Sequence, residues 1–384
     1  MKVIYVLAGT QEFGGSTKSF LNLLDYGLAH GIDPVVVMPD RKGIYRSLAD
    51  RGIRVYALPY FYYIRPYVYP VHRRLKRGVK NFLSWCSSLM LARIAGKEKA
   101  DIIHTNTSVN NIGYLAARRT GIPHIWHIRE YNEAIELEIP HLKERLHDGT
   151  SYSITITRDL GREYGLSDLR QSRTIYNGIV KNLGEMPRQP KANYFLYVGN
   201  VDIIKGIDLC IEAFILFRKA NPGVTARLLV AGAPTNRGEN LKQDLIGSLE
   251  ENGIADSVEW LGNRSDVADL MQKALATVIA SPKEGFGRVM AEAMSQGCLV
   301  IGRDLAGTHE QFENGLRLCG REIGLRYSSA TGLARLMEEV SVASPESFDR
   351  MREDAFATVS ELYSNEAYGC SVCRFYEEIL SHTV

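Results

Sequence analysis

No apolar run in this 384-residue chain approaches the roughly 20 residues that a bilayer-spanning helix needs, so the sequence offers no transmembrane candidate. The first ten residues hold only a short apolar run before turning polar, which reads as a first strand and not as a secretory leader. Cysteine is scarce and scattered: six in all, with one close pair, Cys370 and Cys373, and no second pair at zinc spacing. That argues against a disulfide framework and suits a reducing cytoplasm, with the close pair read as packing in a terminal helix. No D-x-D occurs, so a metal-bridged diphosphate site has no visible ligands, and no metal is expected. Neither half of the chain opens on G-x-G-x-x-G, and a P-loop would place Lys where Gly15 stands, which counts against a dinucleotide oxidoreductase. Net charge is small too, at +2, so binding of a polyanion by the whole chain is not implied. One absence is local: residues 51–97 contain no Asp or Glu.

What is present is ordinary for a folded protein, with 45% hydrophobic and 23% charged residues, in a length comfortable for two domains. Strands are read at 3–7, 35–38, 55–58, 101–104, 122–130 and 154–157. A polar stretch with Pro187 and Pro190 follows, and then a second cycle with strands at 195–198, 227–231 and 258–261 and a helix at 207–220. Two runs of alternating strands and helices predict two Rossmann-like domains with parallel sheets facing each other across a cleft. The boundaries expected are 1–183, a linker at 184–192, 193–365, and a last helix, 366–384, crossing back onto the first domain.

Residues 281–310 carry the sharpest signal. A glycine-rich loop, Glu284-Gly285-Phe286-Gly287, runs into a helix former segment from Arg288 to Gln296, then a short apolar strand at 298–301 and a small-residue turn, Ala306-Gly307-Thr308. A loop-to-helix junction presents unpaired N–H groups and the positive end of a helix dipole, which seats a phosphate. Carboxylates repel phosphate, so Glu284 and Glu292 suit hydroxyls. A phosphate seat beside hydroxyl-binding carboxylates suggests a sugar nucleotide.

The stretch E-G-F-G-R-V-x-A-E-A-M-S-Q-G, with Glu284 and Glu292 separated by seven residues, resembles the signature of family 4 retaining glycosyltransferases of the GT-B fold. That resemblance implies Glu284 near the donor sugar, Glu292 on the nucleotide ribose, and the amides of Gly285, Phe286, Gly287 and Arg288 facing the diphosphate. It implies that Gly14 and Gly15 form a loop closing on the donor phosphates and that His127, at the carboxyl end of its strand, lies near the donor sugar. Arg129 and Glu130 are placed toward the acceptor. The family carries leaving-group charge on an Arg and a Lys in G-R-x4-K-G; here Lys205-Gly206 is in place but Asn200 stands at the Arg position, and Arg288 is the best substitute in sequence, with Arg264 second. Donor preference is assigned to the surroundings of Gly232, Asn263 and Glu284.

The resemblance implies transfer of a sugar from a UDP- or GDP-sugar, with no permanently bound cofactor, to a hydroxyl of a glycan or lipid-linked acceptor in bacterial surface-polysaccharide synthesis. His127, Lys205 and Glu284 are the catalytic candidates. A sugar-nucleotide epimerase of the same fold and a non-catalytic sugar-nucleotide-binding protein remain open. Residues 60–97 mix basic residues with Tyr60, Phe61, Tyr62, Tyr63, Tyr67, Tyr69, Phe82 and Trp85, a composition suited to an anionic membrane surface. It also fits an irregular insertion whose tyrosines cover the core while its cations are solvated; single-stranded nucleic acid suits the mixture chemically, but no nucleic-acid partner is assigned. The setting expected is cytoplasmic, with a peripheral position on the inner face of the membrane under the first reading.

Overall fold

A computed structural model describes residues 1–8, 14–61, 73–131, 139, 141–180, 183–235 and 238–382, with side chains omitted from the description at 73–77. The chain divides into two units, Met1–Lys181 with Asn365–Val384, and Asn182–Ser364.

The first unit is built on seven parallel strands: β1 (Lys2–Val6), β2 (Asp33–Met38), β3 (Arg54–Ala57), β4 (Ile102–Thr105), β5 (His124–Ile128), β6 (Ser151–Thr155) and β7 (Ser172–Thr174). Their order is β3-β2-β1-β4-β5-β6-β7. Because side chains alternate along a strand, β1 sends Val3 and Tyr5 to one face and Ile4 and Val6 to the other, and both faces are buried. Helix Gly15–Ala29 covers the first face with Phe20, Leu23 and Leu24, and Asn365–Ser381 adds Tyr368, Val372, Phe375 and Tyr376 at helical spacing. The two helices lie close enough that a Cβ on Gly369 would stand 2.1 Å from the Tyr26 ring.

The opposite face is covered by Ile112–Thr120 and by a 26-residue helix, Arg73–Glu98. This helix corrects the expectation of an irregular insertion. Its buried stripe, Ser84, Ser87, Ser88, Leu91 and Ala95, has helical spacing but is largely serine, so hydrophobic periodicity does not reveal it. The serines are used: Ser87 Oγ donates to Pro59 O at 2.9 Å, and Phe61 N donates to Ser84 Oγ. Tyr60 covers the core, its buried hydroxyl donating to Leu7 O and Val37 O. Phe82 and Trp85 are exposed. Tyr62, Tyr63, Tyr67 and Tyr69 lie outside the described residues.

The second unit carries six parallel strands: β8 (Tyr194–Val198), β9 (Arg227–Ala231), β10 (Val258–Gly262), β11 (Ala276–Ile279), β12 (Val300–Arg303) and β13 (Leu325–Tyr327), ordered β10-β9-β8-β11-β12-β13. Ile207–Ala220 and Ala330–Val342 pack on one face of this sheet. Residues Ala306-Gly307-Thr308 do not form a turn, as expected from their size, but the start of helix Ala306–Cys319. They are small because the chain passes close by: a Cβ on Gly307 would meet Glu284 O at 2.7 Å, and Gly307 N donates to that same oxygen at 3.0 Å. The strand expected at 298–301 begins two residues later, at Val300.

Candidate donor site

In a doubly wound sheet the loops leaving two neighbouring strands part in opposite directions at the point where strand order reverses, leaving a crevice at the carboxyl ends. In the second unit that point lies between β8 and β11. Lys205 follows β8 and Glu284 follows β11. The structure brings them together: Lys205 Nζ donates to Glu284 Oε1 at 2.6 Å, and Ser281 Oγ donates to the same oxygen at 2.7 Å. Two features set this pair. The nearly buried Tyr197 hydroxyl donates to the carbonyls of Asn200 and Lys205, both at 3.2 Å, and closes the loop after β8 on itself. Gly206, at φ +69°, lets that loop touch the neighbouring one, since a Cβ there would stand 2.1 Å from Ala280 O.

The loop from Glu284 to Gly287 is anchored from behind. Phe286 is buried edge-on against Tyr363, ring centroids 5.1 Å apart, and Gln311 Nε2 donates to Phe286 O and Gly287 O. Gly287, at φ +84°, is the N-cap of Arg288–Ser295 and supplies no side-chain acceptor to that helix's first amides. Nearby, Thr308 Oγ1 is buried with no hydrogen-bond partner among the described residues; a Cβ built on Gly287 would lie 3.6 Å from it.

The remaining positions fall around this centre. Arg288 Nη2 pairs with Glu292 Oε1 at 3.3 Å, one helical turn on, so the two carboxylates flanking the loop take different cations. Arg264 is engaged by Asp266 through two bonds of 2.8 and 2.6 Å. Asn200 is exposed on the loop after β8. Gly232 N donates to Gly262 O at 2.8 Å, and Ala233 N to Asn263 Oδ1 at 3.1 Å, which ties the exits of β9 and β10 together.

In the first unit the strand order reverses between β1 and β4. Gly14 is the extended N-cap of Gly15–Ala29, again without a side-chain cap; residues 9–13 before it are outside the description. His127 sits on β5, fully buried, with Nδ1 3.0 Å from His104 Nε2 on the adjacent β4. Burial, with the Arg129 charge beside them, holds both imidazoles well below the usual histidine value, so both are neutral at neutral pH. The Arg129 guanidinium is turned inward: it donates to Asn106 O (2.9 Å), Asn106 Oδ1 (3.1 Å), Asn177 Oδ1 (2.5 Å) and Tyr368 Oη (3.1 Å). Glu130 accepts from Ser108 N and Oγ, and burial raises its pKa against those bonds.

Four residues near these centres were not singled out as ligands or supports by sequence: Tyr197, Ser281, Thr308 and His104. His104 ends a parallel strand as His127 does, and the same argument from strand position finds it. The other three have no signal outside the fold: Ser281 and Tyr197 act through hydroxyl contacts that only the folded loops reveal, and Thr308 is brought beside Gly287 by packing. Among the described residues, no group of three or more His, Cys, Asp or Glu is placed to hold a metal ion, and no helix is long and apolar enough to cross a membrane.

Two family models match this chain. The one described as glycosyl transferases group 1 covers residues 182–355, and the glycosyl transferase 4-like domain covers 14–175. Among curated proteins, D-inositol 3-phosphate glycosyltransferase of Actinosynnema mirum is 28% identical over 131 residues, 33% of this chain and 31% of that protein. The same enzyme of Thermobispora bispora is 26% identical over 251 residues, 56% of this chain and 57% of that one. The chain therefore matches less than two thirds of the length of either relative. Among solved structures, Anabaena HepE in complex with UDP has a TM-score of 0.79 at 16% identity, covering 98% of this chain and all of that one; HepE has also been seen with UDP-glucose.

Proposed function

Because the chain belongs to the family 4 glycosyltransferases of the GT-B fold, we propose that it moves a sugar from a nucleotide-diphosphate sugar to a hydroxyl of a glycan or lipid-linked acceptor. The observation that carries this reading is the Lys205–Glu284 pair, joined at 2.6 Å where strand order reverses, beside a helix N-terminus whose N-cap is Gly287. Each part has a task. The amides of Gly285 to Arg288 and the Lys205 ammonium take the diphosphate, and Glu284 and Glu292 take hydroxyls of the sugar and the ribose. Lys205 carries the charge that grows on the leaving diphosphate as the anomeric C–O bond breaks. Asn200 brings no charge to this place, and Arg288, on the first turn of the receiving helix, supplies the second cation. His127 contacts the donor sugar.

The reaction runs by front-face substitution with retained configuration. The bond from the anomeric carbon to the diphosphate oxygen breaks, the bond to the acceptor oxygen forms on the same face, and the acceptor proton passes to the departing phosphate. Uracil is the favoured base of the donor, since HepE, a structural neighbour, was crystallised with UDP. A UDP-sugar is expected to raise the melting temperature by mass action, and turnover is expected to survive EDTA. Activity abolished by EDTA and restored by magnesium would contradict this chemistry.

Surface-polysaccharide synthesis and a peripheral seat on an anionic membrane are proposed on the helix Arg73–Glu98. Val79, Phe82 and Trp85 are exposed on it, within the run of 51–97 that holds no acidic residue. Flotation with vesicles is the check. Binding to vesicles containing phosphatidylserine is expected to drop at least fivefold in a Phe82→Ser/Trp85→Ser double variant; equal binding by both proteins would remove this seat.

A further inference from the structure

His127 is the end of a buried chain of hydrogen bonds that begins on the last helix. Its Nδ1 lies 3.0 Å from His104 Nε2 and 3.3 Å from Arg129 Nη2. On its far side, His104 Nδ1 meets the hydroxyl of Tyr376, a residue of Asn365–Ser381, and that hydroxyl lies 3.5 Å from the hydroxyl of Tyr5. His127 Nε2 is buried and has no partner among the described residues.

The protons can be placed one after another. A guanidinium only donates, so His127 Nδ1 accepts and carries no proton. The imidazole is neutral, so its single proton is on Nε2. His104 must then donate from Nε2, which leaves its Nδ1 to accept from the Tyr376 hydroxyl. Burial raises the Tyr376 pKa, so the hydroxyl keeps its single proton, and the His104 contact at 2.5 Å takes it over the Tyr5 contact at 3.5 Å. Both bonds therefore point the same way, from Tyr376 through His104 to His127. At the end stands an unused N–H donor.

We propose that His104, backed by Tyr376, is a positioning residue that holds His127 in its Nε2–H form, so that His127 offers a hydrogen bond to a sugar hydroxyl and does not act as a base. This rests on the reading of His127 as a donor-sugar contact. Arg129 alone is a weaker lock, because its Nη2 is shared among His127, Asn106 and Tyr368, and its contact to Nδ1 is the longer of the two. The last helix thereby reaches the candidate site of the first unit, although the whole second unit intervenes in sequence.

Long-range proton–nitrogen spectra of the histidine-labelled full chain test the assignment without any substrate. His127 is expected as a single Nε2–H tautomer that does not titrate between about pH 5.5 and 8, where a free histidine does. His104→Gln places an amide donor near the lost Nε2, so it is expected to keep that tautomer and stay within about threefold of the parent in kcat/KM. His104→Leu leaves no donor; a mixed tautomer and about a tenfold loss are expected, the size of one hydrogen bond. Should the leucine variant not fold, Tyr376→Phe is expected to move the His104 Nδ1 resonance toward that of an unbonded imine nitrogen. An Nδ1–H tautomer in the parent, a titrating His127, equal losses in the Gln and Leu variants, or a His104 spectrum indifferent to Tyr376→Phe would each overturn the proposal. A chain that transferred no sugar from any nucleotide would end the proposed reaction instead, with the tautomer still decided by the spectrum.

Discussion

Lys205→Ala is expected to lower turnover by two or more powers of ten while the protein stays folded. The size follows from what the residue is asked to do. Removing a preorganised charge or donor from a developing oxyanion costs about 3–4 kcal/mol, whereas an exposed ion pair is worth well under about 1 kcal/mol to folding. Lys205 is about a third exposed, and its partner Glu284 is also held by Ser281, so the alanine variant leaves that carboxylate solvated and hydrogen-bonded. Catalysis and stability are thus separable at this position. Steady-state kinetics beside a urea melt make the comparison, and a loss in turnover below threefold would remove Lys205 from the mechanism.

Gly206→Ala is expected to be nearly as damaging for a different reason. The residue sits at φ +69°, where a Cβ is disfavoured, and that Cβ would stand 2.1 Å from the backbone oxygen of Ala280. A backbone atom cannot swing aside as a side chain can, so the loops after β8 and β11 must part, and with them Lys205 and Glu284. Strain of about 2 kcal/mol corresponds to a melting temperature lower by about 4–8 °C, and activity is expected to fall at least 100-fold because the displaced atoms are the ones that meet the donor. Gly223→Ala is the matched control: a Cβ there meets nothing within 4 Å. Equal activity in the Gly206 and Gly223 variants would show that the close approach of the two loops is irrelevant to function.

The parallel strands were legible because a strand buried on both faces must be a short, nearly continuous apolar run, as in Val35 to Met38 and Arg227 to Ala231. The helix Arg73–Glu98 was not, because it buries serines that hydrogen-bond to neighbouring backbone, and a polar stripe has no hydrophobic period. The start of helix Ala306–Cys319 was misread because small residues serve equally for a turn and for the close passage of another chain segment, and only the neighbour at Glu284 distinguishes the two. Within the candidate site, Glu284 and Lys205 stood out through motif spacing. Ser281, Tyr197 and Thr308 did not: only the folded loops show the Ser281 hydroxyl turned onto Glu284 and the Tyr197 hydroxyl onto the Asn200 and Lys205 carbonyls, and only the packing brings Thr308 beside Gly287. Arg129 was placed toward the acceptor by its position after a strand, and the fold turns its guanidinium inward onto Asn106, Asn177, His127 and Tyr368.

The central claim is that the Lys205–Glu284 centre serves departure of a nucleoside diphosphate from a sugar. Mass analysis of products after incubation with a panel of UDP- and GDP-sugars tests it most directly. The account predicts that one of these donors yields free nucleoside diphosphate, in step with sugar passed to an acceptor or slowly to water, and that Lys205→Ala suppresses this release at least 100-fold. Recovery of every nucleotide sugar unchanged, or isomerised with its diphosphate bond intact, would contradict it.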